Sequence, residues 1–217
     1  MKLFVSKMDL KGLIFDLDGV IVNTEKNHYD SWKKIAETLG VDYNLAFNEN
    51  LKGVSRSKSL ELILKKGNMT IAESKFEEYL ELKNSFYMKS IEGLSTDDIL
   101  PGVVSTIKKA KKLGLFCIIG SSSKNARMIL EKVGLLDAFD FIVDGNDLKS
   151  PKPHPEVFLK GAELAKLNPN ECIVFEDAAS GVVAAKKGGF MVIAVGNHHI
   201  KDLADSYLET LEKFQFA

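Results

Sequence analysis

Five short apolar runs, set apart by amphipathic stretches, constrain this chain more than any other feature. Gly12 to Phe15, Leu115 to Ile119, Phe141 to Val143, Cys172 to Phe175 and Phe190 to Val195 read as buried strands. The stretches between most of them carry helical spacing, so strand and helix alternate. Alternation of this kind implies right-handed crossovers and a parallel sheet covered on both faces, the α/β class. Ligands on such sheets sit beyond the carboxyl ends of the strands, so the residues that follow each run are where chemistry is to be sought.

Phe15-Asp16-Leu17-Asp18-Gly19-Val20 closes the first run and puts two carboxylates where a strand becomes a loop. Side chains alternate across a strand, so Asp16 and Asp18 are expected to project the same way. One such carboxylate can attack phosphorus and help hold a magnesium ion. The other can move protons for the attacking or leaving oxygen.

The rhythm fails between Glu25 and about Thr96, where helical periodicity takes over. Trp32, Ile35, Ala36 and Leu39 share one face, as do Phe76, Tyr79, Leu80 and Phe86. Leu100-Pro101-Gly102 punctuates the return, and Val103 to Leu113 resumes the sheet-and-helix pattern. The chain thus divides into a core of residues 1–24 and 97–217 and a helical insertion of residues 25–96.

Three further clusters fall beside strand ends. Gly120-Ser121-Ser122-Ser123-Lys124-Asn125 offers hydroxyls and N–H groups to phosphate oxygens, although serines before a helix usually cap it. Ser150-Pro151-Lys152-Pro153 holds one ammonium group between two stiffening prolines. Phe175-Glu176-Asp177 brings two more acids, which with Asp16 would complete an oxygen cage for a hard cation, against the plainer reading of Asp177 as a helix cap.

Composition limits the partners. The 217 residues are 45% hydrophobic and 27% charged with a formal net charge of −1, enough for a substantial core but without the field that draws a polyanion. Nucleic acid is not an expected partner. The Met1–Val5 segment offers too short an apolar core for a secretory signal and no run reaches membrane-spanning length, so a cytoplasmic location without membrane contact is expected. Cys117 and Cys172 read as reduced core residues, Lys108, Lys109, Lys111 and Lys112 as a solvated helix face, and His198 and His199 as loop residues.

Taken in order, these clusters resemble the haloacid dehalogenase superfamily, whose phosphotransferases use an aspartate nucleophile and Mg²⁺. The resemblance covers nearly the whole chain and implies a Rossmann-like core with a small, mobile helical cap. Within the insertion, Phe47 to Arg56 followed by Ser59-Leu60 resembles the substrate loop of the β-phosphoglucomutase family. His28 and Trp32 match that family's entry to the cap, and Ser121 to Asn125 its phosphate loop.

The resemblance implies roles. Asp16 would carry the phosphoryl group and Asp18 act as general acid and base. Asp16, the Asp18 backbone carbonyl, Glu176 and Asp177 would hold Mg²⁺. Ser121 and Lys152 would cradle the transferring phosphate, while Arg56, Ser123, Lys124 and Asn125 would bind a distal one. His28, Trp32, Lys52, Gly53 and Val54 would shape the sugar pocket, with His28 positioning Asp18. The implied reaction interconverts β-glucose 1-phosphate and β-glucose 6-phosphate through β-glucose 1,6-bisphosphate in a monomeric enzyme. A sugar-phosphate phosphatase and a non-catalytic sugar-phosphate sensor are the alternatives. Asn23, Pro151 and Ala178 depart from the family pattern, and the segment after Val195 looks shorter than in typical members, which leaves one edge of the core unassigned.

Overall fold

The computed structural model describes residues 9–216; the Met1–Val5 segment lies outside them. Six strands form one parallel sheet among the described residues: β1 (Gly12–Phe15), β2 (Phe116–Gly120), β3 (Phe141–Val143), β4 (Cys172–Glu176), β5 (Met191–Val195) and β6 (Ser206–Leu208). Their order is β3-β2-β1-β4-β5-β6. Successive strands are laid to one side of β1 and then to the other, so the switch in direction falls beside β1 and β4.

Strand alternation divides the apolar residues between two layers. Leu13, Phe15, Cys117, Ile119, Ile173 and Phe175 face one layer, while Ile14, Ile118, Cys172 and Val174 face the other. Register places Phe15 opposite both Ile119 and Phe175, and the Phe15 and Phe175 rings stack with centroids 5.0 Å apart. Each such ring contributes about 2–3 kcal/mol by leaving water. The result fixes the ends of β1, β2 and β4 level with one another.

Four helices fill the long connection from β1 toward β2: α1 (Glu25–Thr38), α2 (Leu45–Asn48), α3 (Arg56–Lys66) and α4 (Glu73–Ser90). Asn44 and Ser55 cap α2 and α3, accepting from the N–H groups of Phe47 and Lys58. These helices bury a cluster of their own, including Trp32, Ile35, Ala36, Leu60, Ile63 and Leu80. Leu39, Phe76, Tyr79 and Phe86 are only partly buried against it. Tyr87 and Ile91, at the end of α4, enter the sheet's own apolar cluster instead and root the helices on the core.

Returning to the sheet, α5 (Val103–Lys112) precedes β2, α6 (Ala126–Lys132) follows it, α7 (Glu156–Leu164) precedes β4 and α8 (Ala179–Lys187) follows it. Lys108, Lys109, Lys111 and Lys112 are solvated on α5, and both cysteines are free and buried.

The C-terminus differs from expectation. The edge beyond β5 is closed by β6, a strand of three residues that pairs Ile193 to Val195 with Ser206 to Leu208. Residues Leu211–Lys213 then turn once, and Phe214 packs edge-on against Phe175 at 5.0 Å. Gly102 makes this approach possible: with φ +87 and a would-be Cβ only 2.1 Å from the Glu212 nitrogen, no side chain fits there. Three residues are too few to show alternation, so β6 carries no periodic signal of its own.

Candidate active site

The ends of β1, β2 and β4 open into a cleft of about 820 Å³ roofed by the helices between Glu25 and Ser90. Asp16 leaves β1 with its N–H bonded to the Phe175 carbonyl at 3.0 Å, which fixes its backbone in the middle of the sheet. Its carboxylate is buried and accepts a hydrogen bond from Lys152 Nζ at 2.6 Å. The same ammonium donates to Glu176 Oε1 at 2.5 Å, and Glu176 Oε2 accepts from the Ala178 N–H at 2.9 Å. Asp177 completes the group: Asp16, Glu176 and Asp177 each offer an oxygen within 4.8 Å of the others.

Two of these carboxylates share one ammonium, and Asp177 stands beside them without it. Burial, with the charges of Glu176 and Asp18, raises Asp16 to about 7 against the pull of Lys152. Burial, Glu176 and Asp16 together hold Asp177 well above the usual carboxylate range. Lys152 is buried too, yet its two carboxylate partners outweigh that and raise it. A floor of hard oxygen donors carrying more negative charge than Lys152 neutralises fits a divalent cation.

Asp18 also lines the cleft but keeps separate company. Its carboxylate accepts from the Thr24 hydroxyl and from Tyr87 Oη at 3.4 Å, with His28 Nε2 also 3.4 Å away. Burial would raise Asp18, but His28, Thr24 and Lys83 outweigh it and hold the group low, so it stands ionised. Its side chain lies outside the trio of acids, which leaves only its carbonyl to join them.

The serine turn serves two purposes. Ser121 Oγ accepts from the Ser123 N–H at 3.0 Å and Ser123 Oγ from the Asn125 N–H at 3.2 Å, which organises the backbone leading into α6. Ser121, Ser123, Lys124 and Asn125 all line the cleft as well. Across from them stand Arg56, Lys52, Gly53, Val54, Trp32 and His28. Lys52 is paired with Glu25 and Glu49, both at 3.1 Å. Lys152 and Glu176 lie beneath the cleft's surface.

Lys83 and Asn84 on α4 were missed by pattern reading. Lys83 is buried with Nζ 3.0 Å from His28 Nδ1 and 4.5 Å from the centre of the Tyr87 ring. It has no carboxylate partner among the described residues, and burial together with Arg56 lowers it to about 7. Asn84 Oδ1 accepts from Arg56 Nη2 at 2.7 Å and from Asn125 Nδ2 at 3.1 Å, tying roof to floor. A signal did exist: Leu80, Lys83 and Tyr87 share one helical face, and a lysine inside an apolar stripe needs a reason.

Comparison with known proteins agrees with this arrangement. The family of haloacid dehalogenase-like hydrolases matches residues 13–195. The β-phosphoglucomutase of Bacillus subtilis is 38% identical over 192 residues, covering 86% of this chain and 84% of its own. The crystal structure of β-phosphoglucomutase from Clostridium difficile superposes with a TM-score of 0.91 at 38% identity, over 95% of this chain and 94% of that one. More distant similarity reaches a fructose-1-phosphate phosphatase of Escherichia coli, 29% identical over 185 residues that cover 85% of this chain and 95% of its own.

Proposed function

This chain belongs to the haloacid dehalogenase-like hydrolases and is an enzyme of phosphoryl transfer, and we propose that it interconverts β-glucose 1-phosphate and β-glucose 6-phosphate. The observation that carries this reading is the pairing of a buried, lysine-held Asp16 below with a second cationic group, Arg56 and Lys83, above, Arg56 reaching Asn125 of the floor through Asn84. A phosphatase needs one phosphate grip. An enzyme that turns a bisphosphate around needs two.

In this reading residues 25–96 are the cap and residues 1–24 and 97–217 the core. Asp16 starts as its acyl phosphate, a mixed anhydride. The sugar's O6 attacks that phosphorus, the bond from Asp16 to phosphorus breaks, and Asp18 takes the hydroxyl proton. The 1,6-bisphosphate then turns around. Asp16 attacks the phosphorus at C1, and Asp18 returns its proton to the leaving oxygen. Lys152 and Ser121 hold the transferring group near Asp16. Arg56, with Ser123, Lys124 and Asn125, holds the other phosphate, and His28 keeps Asp18 aimed. Asp16, Glu176, Asp177 and the Asp18 carbonyl would hold Mg²⁺, whose charge offsets that of the transferring phosphoryl oxygens. With the cap shut, Trp32, Lys52, Gly53 and Val54 line the sugar pocket and keep water from the aspartyl phosphate.

The free, buried cysteines suit a reducing cytoplasm, and no described helix is long and apolar enough to cross a membrane. We take the working form to be a monomer acting on small sugar phosphates rather than nucleic acid. The test supplies β-glucose 1-phosphate, Mg²⁺ and a trace of the 1,6-bisphosphate, and follows glucose 6-phosphate and free phosphate together. Isomer with little phosphate is expected. Phosphate at a comparable rate would make the protein a phosphatase, and binding without either product would make it a sensor.

A further inference from the structure

Two hydroxyls that the reaction does not use hold the roof to the floor. Ser180 Oγ, in the first turn of α8, donates to the Lys52 carbonyl at 3.0 Å, and Ser122 Oγ, beyond β2, donates to the Gly53 carbonyl at 2.9 Å. The two acceptors are consecutive residues of the cap loop. The two donors come from separate core elements on either side of the phosphoryl site.

The fit is close. Gly53 sits at φ +70, and a Cβ there would lie 2.5 Å from Ser180 Oγ and 2.9 Å from the Ala178 Cβ, so this approach requires glycine. Lys52 is further tied by its ammonium to Glu25, the first residue of α1, and to Glu49. By contrast, the tie from Arg56 to Asn125 through Asn84 uses groups that a bound phosphate would recruit. The serine bonds reach main-chain carbonyls and survive that exchange.

We infer that Ser122 and Ser180 form a clasp that holds the 52–53 loop on the core and thereby sets what share of phosphoryl groups is lost to water. This rests on the phosphotransfer reading above. Two side-chain-to-carbonyl bonds at ordinary net strength favour the closed form by about thirtyfold. Opening admits water to the aspartyl phosphate, so the loss to water follows the open fraction.

The test compares the wild type with Ser122→Ala, Ser180→Ala and the double variant. Phosphate released per glucose 6-phosphate formed is expected to rise about thirtyfold in the double variant and less in each single one. A second measurement is independent of activity: acrylamide quenching of Trp32, the chain's one tryptophan, which lines the cleft, should rise in the double variant. Ser122→Thr, which keeps the hydroxyl, should hold the wild-type ratio. An unchanged ratio in the double variant, with or without altered quenching, overturns the clasp. If the wild type makes neither product, the function reading fails and the quenching decides the clasp by itself.

Discussion

Gly181 lies within α8, where replacing glycine by alanine ordinarily stabilises a helix by about 1 kcal/mol. Here the structure reverses the sign. A Cβ on Gly181 would stand 1.7 Å from Glu176 Oε1 and 2.0 Å from its Cδ, so the carboxylate must move. Glu176 is fully buried and has nowhere to go that keeps both the Lys152 ammonium at 2.5 Å and the Ala178 N–H at 2.9 Å. Breaking a buried ion pair costs about 3–5 kcal/mol, and the helical gain returns about 1, for a net loss of about 3 kcal/mol. In a chain of this size that lowers Tm by about 10 °C. Gly181→Ala should therefore melt well below the wild type and bind Mg²⁺ more weakly, by calorimetry and titration. Gly93→Ala, with nothing within 4 Å of the added carbon, should melt within a few degrees of it. A Gly181→Ala protein as stable as the wild type, with full Mg²⁺ affinity, would refute the claim that Glu176 is held in this place.

Other outcomes follow from the same geometry. Asp16→Asn should abolish turnover and any phosphoryl adduct on its peptide by mass spectrometry, while Asp18→Asn should fold normally and lose the proton-transfer steps; robust activity in either variant contradicts the roles. Asp16 is about 7 in the fold against 3.8 ordinarily, so its contribution is full below about pH 4 and disappears as pH rises to 7. Mg²⁺ competes with those protons and should raise Tm more at pH 7.5 than at pH 5. A rise independent of pH would count against the acidic trio as its site. Lys83 runs the other way: with a value of about 7 against 10.5, its cost is full below pH 7 and fades toward pH 10.5. Lys83→Met should thus raise Tm at pH 6, by about 5 °C, and weaken sugar-phosphate binding about tenfold. A lower Tm at pH 6 would mean that the ammonium has a partner in the fold.

The site's floor was legible because periodicity locates strand ends, and Asp16, the serine turn, Lys152 and Glu176-Asp177 all sit beside one. Even there the boundary moved: Gly120 and Glu176 are the last residues of β2 and β4, not the first of their loops. The roof was less legible. Lys83 and Asn84 act through partners 55 and 41 residues away, and Ser122 and Ser180 reach carbonyls 69 and 128 residues distant. Hydrogen bonds of that range leave no local pattern. Tyr87, which donates to Asp18 from 69 residues away, was invisible for the same reason. The edge strand β6 was missed because pairing with β5, rather than its own three residues, makes it a strand.

The two halves of the cleft carry opposite signs, although the chain as a whole is nearly neutral. Below, Asp16, Glu176 and Asp177 outnumber Lys152, and above, Arg56 and Lys83 have no carboxylate partner among the described residues. Neither half is electrostatically satisfied alone. Shutting the cap brings the cationic side chains over the anionic floor and leaves, between them, room for a ligand that carries phosphate at one end and bridges to a metal-bound phosphate at the other. A monophosphate fills half of that arrangement, and a bisphosphate fills it in either orientation. When Asp16 is phosphorylated, a sugar monophosphate supplies the second phosphate, so closure is strongest when donor and acceptor are both in place, which is the physical ground for transfer to sugar over transfer to water.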